Sequence, residues 1–294
     1  MNVDLVVLDI DGVLVDTDGS YDRAIIDTLA HVVGETIDRE DIQLFKDAGG
    51  FNNDWDVTDA AALALLARKH GVELDLESVT DDIDVAGGGL EAAEEVISGS
   101  VPDPTWTRIR SEWGRNELRR TFQWLYLGPD RYEQFENEPH PTDPPATGGY
   151  IEDEPQLVSA HTIEILQDGY ELGILTGRPA AEAEIALSRL DLDIPPERRM
   201  TMDDWEGGKP APDGLIELAK TVDAETTLFA GDELDDVRTA VNAATADSSR
   251  SYCGVGVETG GVRGEDGRQR FREVGACETL ASINELPDLL KEKA

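Results

Sequence analysis

Cysteine is almost missing from this 294-residue chain: Cys253 and Cys277 are the two present. Two thiols cannot staple a chain of this length, so a disulfide scaffold is excluded. Both are expected as small core residues. Histidine is nearly as scarce, and His31, His70, His140 and His161 are scattered without zinc spacing. Lysine numbers six, against nineteen arginines. No stretch of about 18 uncharged apolar residues occurs, which excludes a membrane-spanning helix. The first apolar run, Val3 to Asp9, is too short for a secretory signal and has no basic segment before it. A folded, cytoplasmic protein is expected. Nothing in these counts speaks to oligomeric state.

Acid is what the chain has in excess. Asp and Glu number 63 against 25 Lys and Arg, a formal net charge of −38. Such a field repels nucleic acid backbone and anionic membrane surfaces, so neither is an expected partner. The apolar content of 39% argues against disorder. Acid spread along the whole chain suits concentrated salt, where the Debye length falls to about 3 Å near 1 M. We therefore expect a halophilic source. Any anionic ligand must be drawn in by local positive groups.

The length suggests about two domains. Short apolar runs mark strands: Val6 to Leu8, Leu172 to Leu175, Thr227 to Ala230 and, more weakly, Tyr252 to Val257. Continuous runs of this kind suit parallel strands buried on both faces. Helical spacing falls between them, at Leu157–Ala160–Ile163–Leu166, Ala183–Ala186–Leu187–Leu190, Leu215–Leu218–Ala219–Val222 and Val237–Ala240–Val241–Ala244. This alternation predicts an α/β fold with a doubly wound, Rossmann-like parallel sheet. Residues 17–154 read differently. They hold helical patterns, including Ile25–Leu29–Val32, the Ala60–Ala67 run, Trp106–Ile109–Trp113 and Leu118–Phe122–Leu125, with no convincing strand. Gly87–Gly89 reads as a loop. A stretch rich in Pro and Gly, from Pro139 to Gly149, closes the segment as a linker. Residues 1–16 and 155–294 are therefore expected to form one domain, with 17–154 inserted after the first strand as a mostly helical second.

In open α/β sheets, ligands bind beyond the carboxyl ends of the strands. Four polar clusters fall there: Asp9-Ile10-Asp11-Gly12-Val13, Leu175-Thr176-Gly177-Arg178, Gly208-Lys209-Pro210-Ala211-Pro212, and Gly231-Asp232-Glu233-Leu234-Asp235-Asp236. Each alone is an ordinary turn or cap. Together, and in this order, they resemble the motifs of the haloacid dehalogenase superfamily. The chain is similar to the branch with a helical cap after the first strand, subfamily IA-like. The Gly49-Gly50-Phe51-Asn52-Asn53-Asp54-Trp55 string resembles a less common branch.

The resemblance implies a Mg²⁺-dependent phosphomonoester hydrolase acting on a small metabolite phosphate. Asp9 would be the nucleophile, forming an aspartyl-phosphate. Asp11 would protonate the leaving alcohol and then activate water, nearby carboxylates and substrate phosphate favouring its neutral form at the outset. Asp9, the Asp11 carbonyl and Asp232 would bind the Mg²⁺, with Asp236, one helical turn on, holding metal waters. Asp11 and Gly12 at the strand end, with Thr176 and Gly177, would cradle phosphate, and Lys209 would counter charge on phosphate and Asp9. Pro210 and Pro212 would stiffen the lysine's loop. Three carboxylates and a phosphate dianion face one lysine, so without the metal the substrate would be repelled.

Alternatives stay open at this point. A phosphomutase keeps both aspartates. A dehalogenase of the family uses the same nucleophile but needs neither Asp11 nor Mg²⁺. A receiver-like signalling module places its acidic pair before the phosphoacceptor, and a non-catalytic phosphate-binding protein would turn nothing over. Specificity is expected in the inserted helical segment. Asn52, Asn53 and Trp55 could recognise a polar small molecule, with Arg178 and Arg23 as weaker candidates. The competing reading makes Asp54 a helix cap and Trp55 a core residue.

Overall fold

The computed structural model describes residues 3–51, 53–139, 148–205 and 207–292. The chain divides into two compact units, Met1–Thr17 with Pro155–Ala294, and Asp18–Glu154. The division places Thr17 with the first unit.

Among the described residues the chain opens on β1 (Leu5–Leu8) and, after Thr17, runs through α1 (Asp18–Val32), α2 (Arg39–Asp47), α3 (Asp54–Lys69), α4 (Leu76–Val85), α5 (Gly89–Gly99), α6 (Asp103–Glu112), α7 (Arg115–Leu127) and α8 (Pro129–Glu136). These form the second, helical unit. Its centre is α3, buried continuously from Val57 to Ala67. The alanines among these residues let α1, α2, α5, α6 and α7 approach it closely. Asp59 is a carboxylate inside that buried run, answered by Arg115 Nε at 2.9 Å. Trp113 lies one residue past the end of α6, so the expected face of Trp106, Ile109 and Trp113 is helical only in its first two members.

After Pro155 the chain alternates. α9 (Ala160–Gly169), β2 (Glu171–Leu175), α10 (Ala180–Leu190), β3 (Arg199–Met200), α11 (Asp213–Thr221), β4 (Thr226–Gly231), α12 (Leu234–Ala246), β5 (Ser251–Val257), α13 (Gly264–Glu273), β6 (Glu278–Leu280) and α14 (Leu286–Glu292) follow in order. The six strands among the described residues are all parallel, in the order β3-β2-β1-β4-β5-β6. This is a doubly wound Rossmann-like sheet, as the alternation predicted. β1 shows why the strands read as continuous apolar runs. Val6 and Leu8 pack into a core shared with α9, α10 and α14, while Leu5 and Val7 face α11 and α12. A strand covered on both faces has no polar position to offer.

The pattern misplaced some details. Leu157 precedes α9, which starts behind the N-cap Ser159, whose hydroxyl accepts from the Thr162 N–H. On α12 the buried stripe is Val237, Ala240 and Ala243, and Val241 is exposed. Cys253 is buried in the sheet, but Cys277 is exposed. No helix among the described residues is long and apolar enough to cross a membrane.

Candidate active site

The order of the sheet decides which clusters meet. β1 lies between β2 and β4, and Asp9 extends it by one residue, its N–H donating to the Ala230 carbonyl at 3.0 Å. Thr176 extends β2 in the same way, its N–H donating to Met200 O at 3.0 Å. Asp232 follows directly on β4, which ends at Gly231.

Asp9 is 3% exposed. One of its carboxylate oxygens accepts from the Ile10 N–H at 2.7 Å, and the other lies 2.6 Å from Lys209 Nζ. The same ammonium stands 2.6 Å from Asp236 Oδ1. Asp236 occupies the third position of α12, where its other oxygen accepts from the Glu233 N–H at 2.9 Å in a capping box. Asp232 lies ahead of the helix, in the turn, so the expected spacing of one helical turn does not apply. It is the fold of the β4–α12 turn that brings Asp232 and Asp236 together. Asp9, Asp232 and Asp236 each offer a carboxylate oxygen within 4.8 Å of the others.

The electrostatics follow from burial. Burial, reinforced by Asp236, Asp9 and Glu233, pushes Asp232 well above the usual carboxylate range. Burial likewise pushes Asp236 up to about 7, although Lys209 pulls the other way. Burial opposes charge on Lys209, but Asp236, Asp9 and Glu233 outweigh it and hold the ammonium well above its ordinary value. Three ionised carboxylates against one ammonium leave two negative charges, which one divalent cation would balance. Asp232 Oδ1 is buried with no hydrogen-bond partner. An orphaned oxygen beside two further carboxylates is a hard, all-oxygen donor set, and it fits Mg²⁺.

Asp11 was expected near carboxylates and substrate phosphate; a cation also stands beside it. Arg178 Nε donates to Asp11 Oδ1 at 2.5 Å, and the Arg178 side chain is fully buried. The Arg178 N–H in turn donates to the Thr176 hydroxyl at 3.2 Å. Arg178, expected as a weaker specificity candidate, is placed with its Nε on Asp11. Gly177 has open space where a side chain would stand, and Gly12 takes a left-handed φ of 65°.

The specificity candidates in the helical unit have partners within that unit. Asn53, not Asp54, caps α3: its Oδ1 accepts from the Asp56 N–H at 2.9 Å and its Nδ2 donates to Asp56 Oδ2 at 3.1 Å. Asp54 pairs with Lys46 at 3.1 Å. Trp55 is half-buried, donates from Nε1 to Gln123 at 3.2 Å and lies under the Arg119 guanidinium. Arg23 pairs with Asp153 at 3.0 Å and stacks on Tyr150. Asn52 lies outside the described residues.

Comparison with known proteins agrees with this architecture. Residues 3–244 match the family model described as haloacid dehalogenase-like hydrolase. The chain belongs to this hydrolase family. Among curated relatives, the pyrophosphatase PpaX of Bacillus mycoides is 31% identical over 116 residues, 39% of this chain and 50% of that protein. The chain spans half or less of the length of the curated relatives it matches. Among solved structures, the fold is shared with phosphatase Tt82 from Thermococcus thioreducens, at a TM-score of 0.67 and 23% identity over 99% of this chain and 100% of that one. It is shared also with a subfamily IA hydrolase from Geobacter sulfurreducens, at a TM-score of 0.52 and 16% identity over 98% and 97%. The motifs leave out the Thr259-Gly260-Gly261 turn after β5, whose Thr259 hydroxyl donates to the Gly12 carbonyl oxygen; a Gly pair after a buried strand was the available signal.

Proposed function

We propose that this hydrolase cleaves phosphomonoesters of small metabolites, with Mg²⁺ as cofactor and Asp9 as nucleophile, and that the helical unit serves as its cap. The observation that carries the reading is Asp9 itself. It is a buried carboxylate held by Lys209 beside Asp232, whose orphaned oxygen calls for a cation. Among the relatives, PpaX is a pyrophosphatase and Tt82 a phosphatase, which supports the phosphoryl chemistry. When bound, the metal ion neutralises charge and orients phosphoryl oxygens.

In the first half-reaction Asp9 attacks phosphorus and the ester oxygen departs, taking a proton from Asp11. In the second, Asp11 takes a proton from water, whose oxygen attacks phosphorus and returns Asp9 as a carboxylate. Arg178 orients Asp11 through its Nε hydrogen bond. A phosphate dianion brought beside Asp11 would favour the protonated form that the acid half needs. Lys209 orients Asp9 and offsets the charge that gathers on the transferred group. A halophilic source belongs to the same proposal and rests on the acidic composition.

The test is phosphate release from a panel of metabolite phosphates in molar KCl, with and without Mg²⁺, for wild type and Asp9→Asn. Wild type with metal should release phosphate from one ester far better than from the rest, and Asp9→Asn should lose roughly ten-thousandfold or more. Undiminished turnover by Asp9→Asn would remove Asp9 as nucleophile. Full activity after exhaustive chelation would remove the metal.

A further inference from the structure

The turn after β5 bears on the one carboxylate of the cluster that has an orphaned oxygen and no ammonium beside it. Asp232 stands between two glycines. A Cβ added at Gly12, or at Gly260, would fall inside the Asp232 carboxylate. At Gly12 the left-handed φ already favours glycine. At Gly260 the backbone lies outside the left-handed region, so alanine is conformationally admissible there. Contact with Asp232 alone demands a glycine at that position. Thr259 latches the two walls together, its hydroxyl donating to the Gly12 carbonyl oxygen. All four residues belong to the sheet unit.

A carboxylate can be aimed in two ways. Donors can hold its oxygens, as Ile10 and Lys209 hold Asp9, or walls can confine it. Donors occupy the lone pairs that a cation needs; walls leave them available. Asp232 is confined, and its Oδ1 keeps its lone pairs.

We propose that Gly260 and Thr259 are positioning residues of the metal centre. With Gly12 they form a slot that aims the Asp232 carboxylate, and divalent-cation affinity depends on that slot. The inference rests on the reading of Asp9, Asp232 and Asp236 as a Mg²⁺ site. It adds residues that the four motifs leave out.

The experiment measures Mn²⁺ binding directly, by the loss of the free-ion electron paramagnetic resonance signal, in the full-length protein without substrate. Gly260→Ala and Thr259→Val should each weaken binding about 10- to 100-fold, while Thr259→Ser, which keeps the hydroxyl, should bind as wild type. Thr259→Val adds no bulk against Asp232, so it carries the test should Gly260→Ala fail to fold. Melting without metal supplies a second readout. Gly260→Ala should lower the melting temperature in the wild-type background and cost nothing in an Asp232→Ala background, where the overlapping carboxylate is gone. Wild-type affinity in both Gly260→Ala and Thr259→Val, or a melting penalty that persists without Asp232, overturns the inference and leaves the metal reading standing. Absence of Mn²⁺ binding by wild type overturns both.

Discussion

At Asp11 one contact decides how the side chain is held. A strand-end aspartate facing solvent turns freely; one bonded to a buried guanidinium is kept in one orientation. Arg178 is therefore a positioning residue for the proposed acid–base group. Arg178→Met keeps much of the side-chain volume and removes the charge. It should lower kcat on an alkyl phosphate by about 100-fold and on an aryl phosphate much less, because an aryl oxide leaves without a proton. Equal losses on both esters, measured under saturating substrate, would reduce Arg178 to a structural role. The raised carboxylates make a second prediction. Between the ordinary carboxylate range and the folded values, about 7 for Asp236 and well above the ordinary range for Asp232, the folded protein holds protons that the unfolded chain has released. Metal-free stability contributed by this pair is present at low pH and is lost as pH rises through that window. A cation competes with those protons, so Mg²⁺ should raise the melting temperature more at pH 8 than at pH 6. At a hundredfold excess over its Kd the stabilisation should be about 2.7 kcal/mol. A Mg²⁺ shift independent of pH, or one retained in Asp232→Asn, would contradict the assignment.

Among the elements, α3 is the one whose start matters most, because it is the buried centre of the helical unit. Asn53 spends both its side-chain polar atoms on the first turn of that helix. Asn53→Ala should cost about 1 kcal/mol of stability, and Asn53→Asp should restore part of it, since aspartate keeps the cap but sets a second carboxylate against Asp56. Thermal or urea melting reads both. Full stability in Asn53→Ala, with turnover lost only on the preferred ester, would return Asn53 to substrate recognition. The Gly-Gly turns on either side of the α2–α3 and α4–α5 connections explain a second local feature. Gly50 packs against the backbone of Gly88 and Gly89, and the Gly89 N–H donates to the Gly49 carbonyl at 2.8 Å. Side chains at these positions would push the two connections apart, so the glycine runs at 49–50 and 87–89 act as one packed contact.

For the whole molecule, the governing quantity is a net charge of −38. Repulsion among surface carboxylates opposes the compact state, and salt screens it. The Debye length shrinks from about 10 Å at 0.1 M to about 3 Å at 1 M. The melting temperature should therefore climb steadily with KCl over this range and above it. A flat profile in KCl would count against the halophilic reading. The same screening weakens attraction at a distance, so Lys209, buried against Asp9 and Asp236, acts at contact range where salt does little.

The central strands and the four motifs were legible in the chain because both are local. Burial on two faces forces β1, β2, β4 and β5 to be apolar along their length, and a strand end marks itself by the polar turn that follows. β3 and β6 were not legible: they are short, partly exposed edge strands, and exposure removes the apolar run that would announce them. Nor could the chain alone disclose that Arg178 answers Asp11 across 167 residues, or that Gly260 confines Asp232. The sequence by itself determined the residue types at each strand end and the alternation that builds a parallel sheet. Which ends stand side by side, and so which groups share charge, protons and space, was decided only by the order in which the strands pair. That order arises from packing between distant segments, which no local periodicity records.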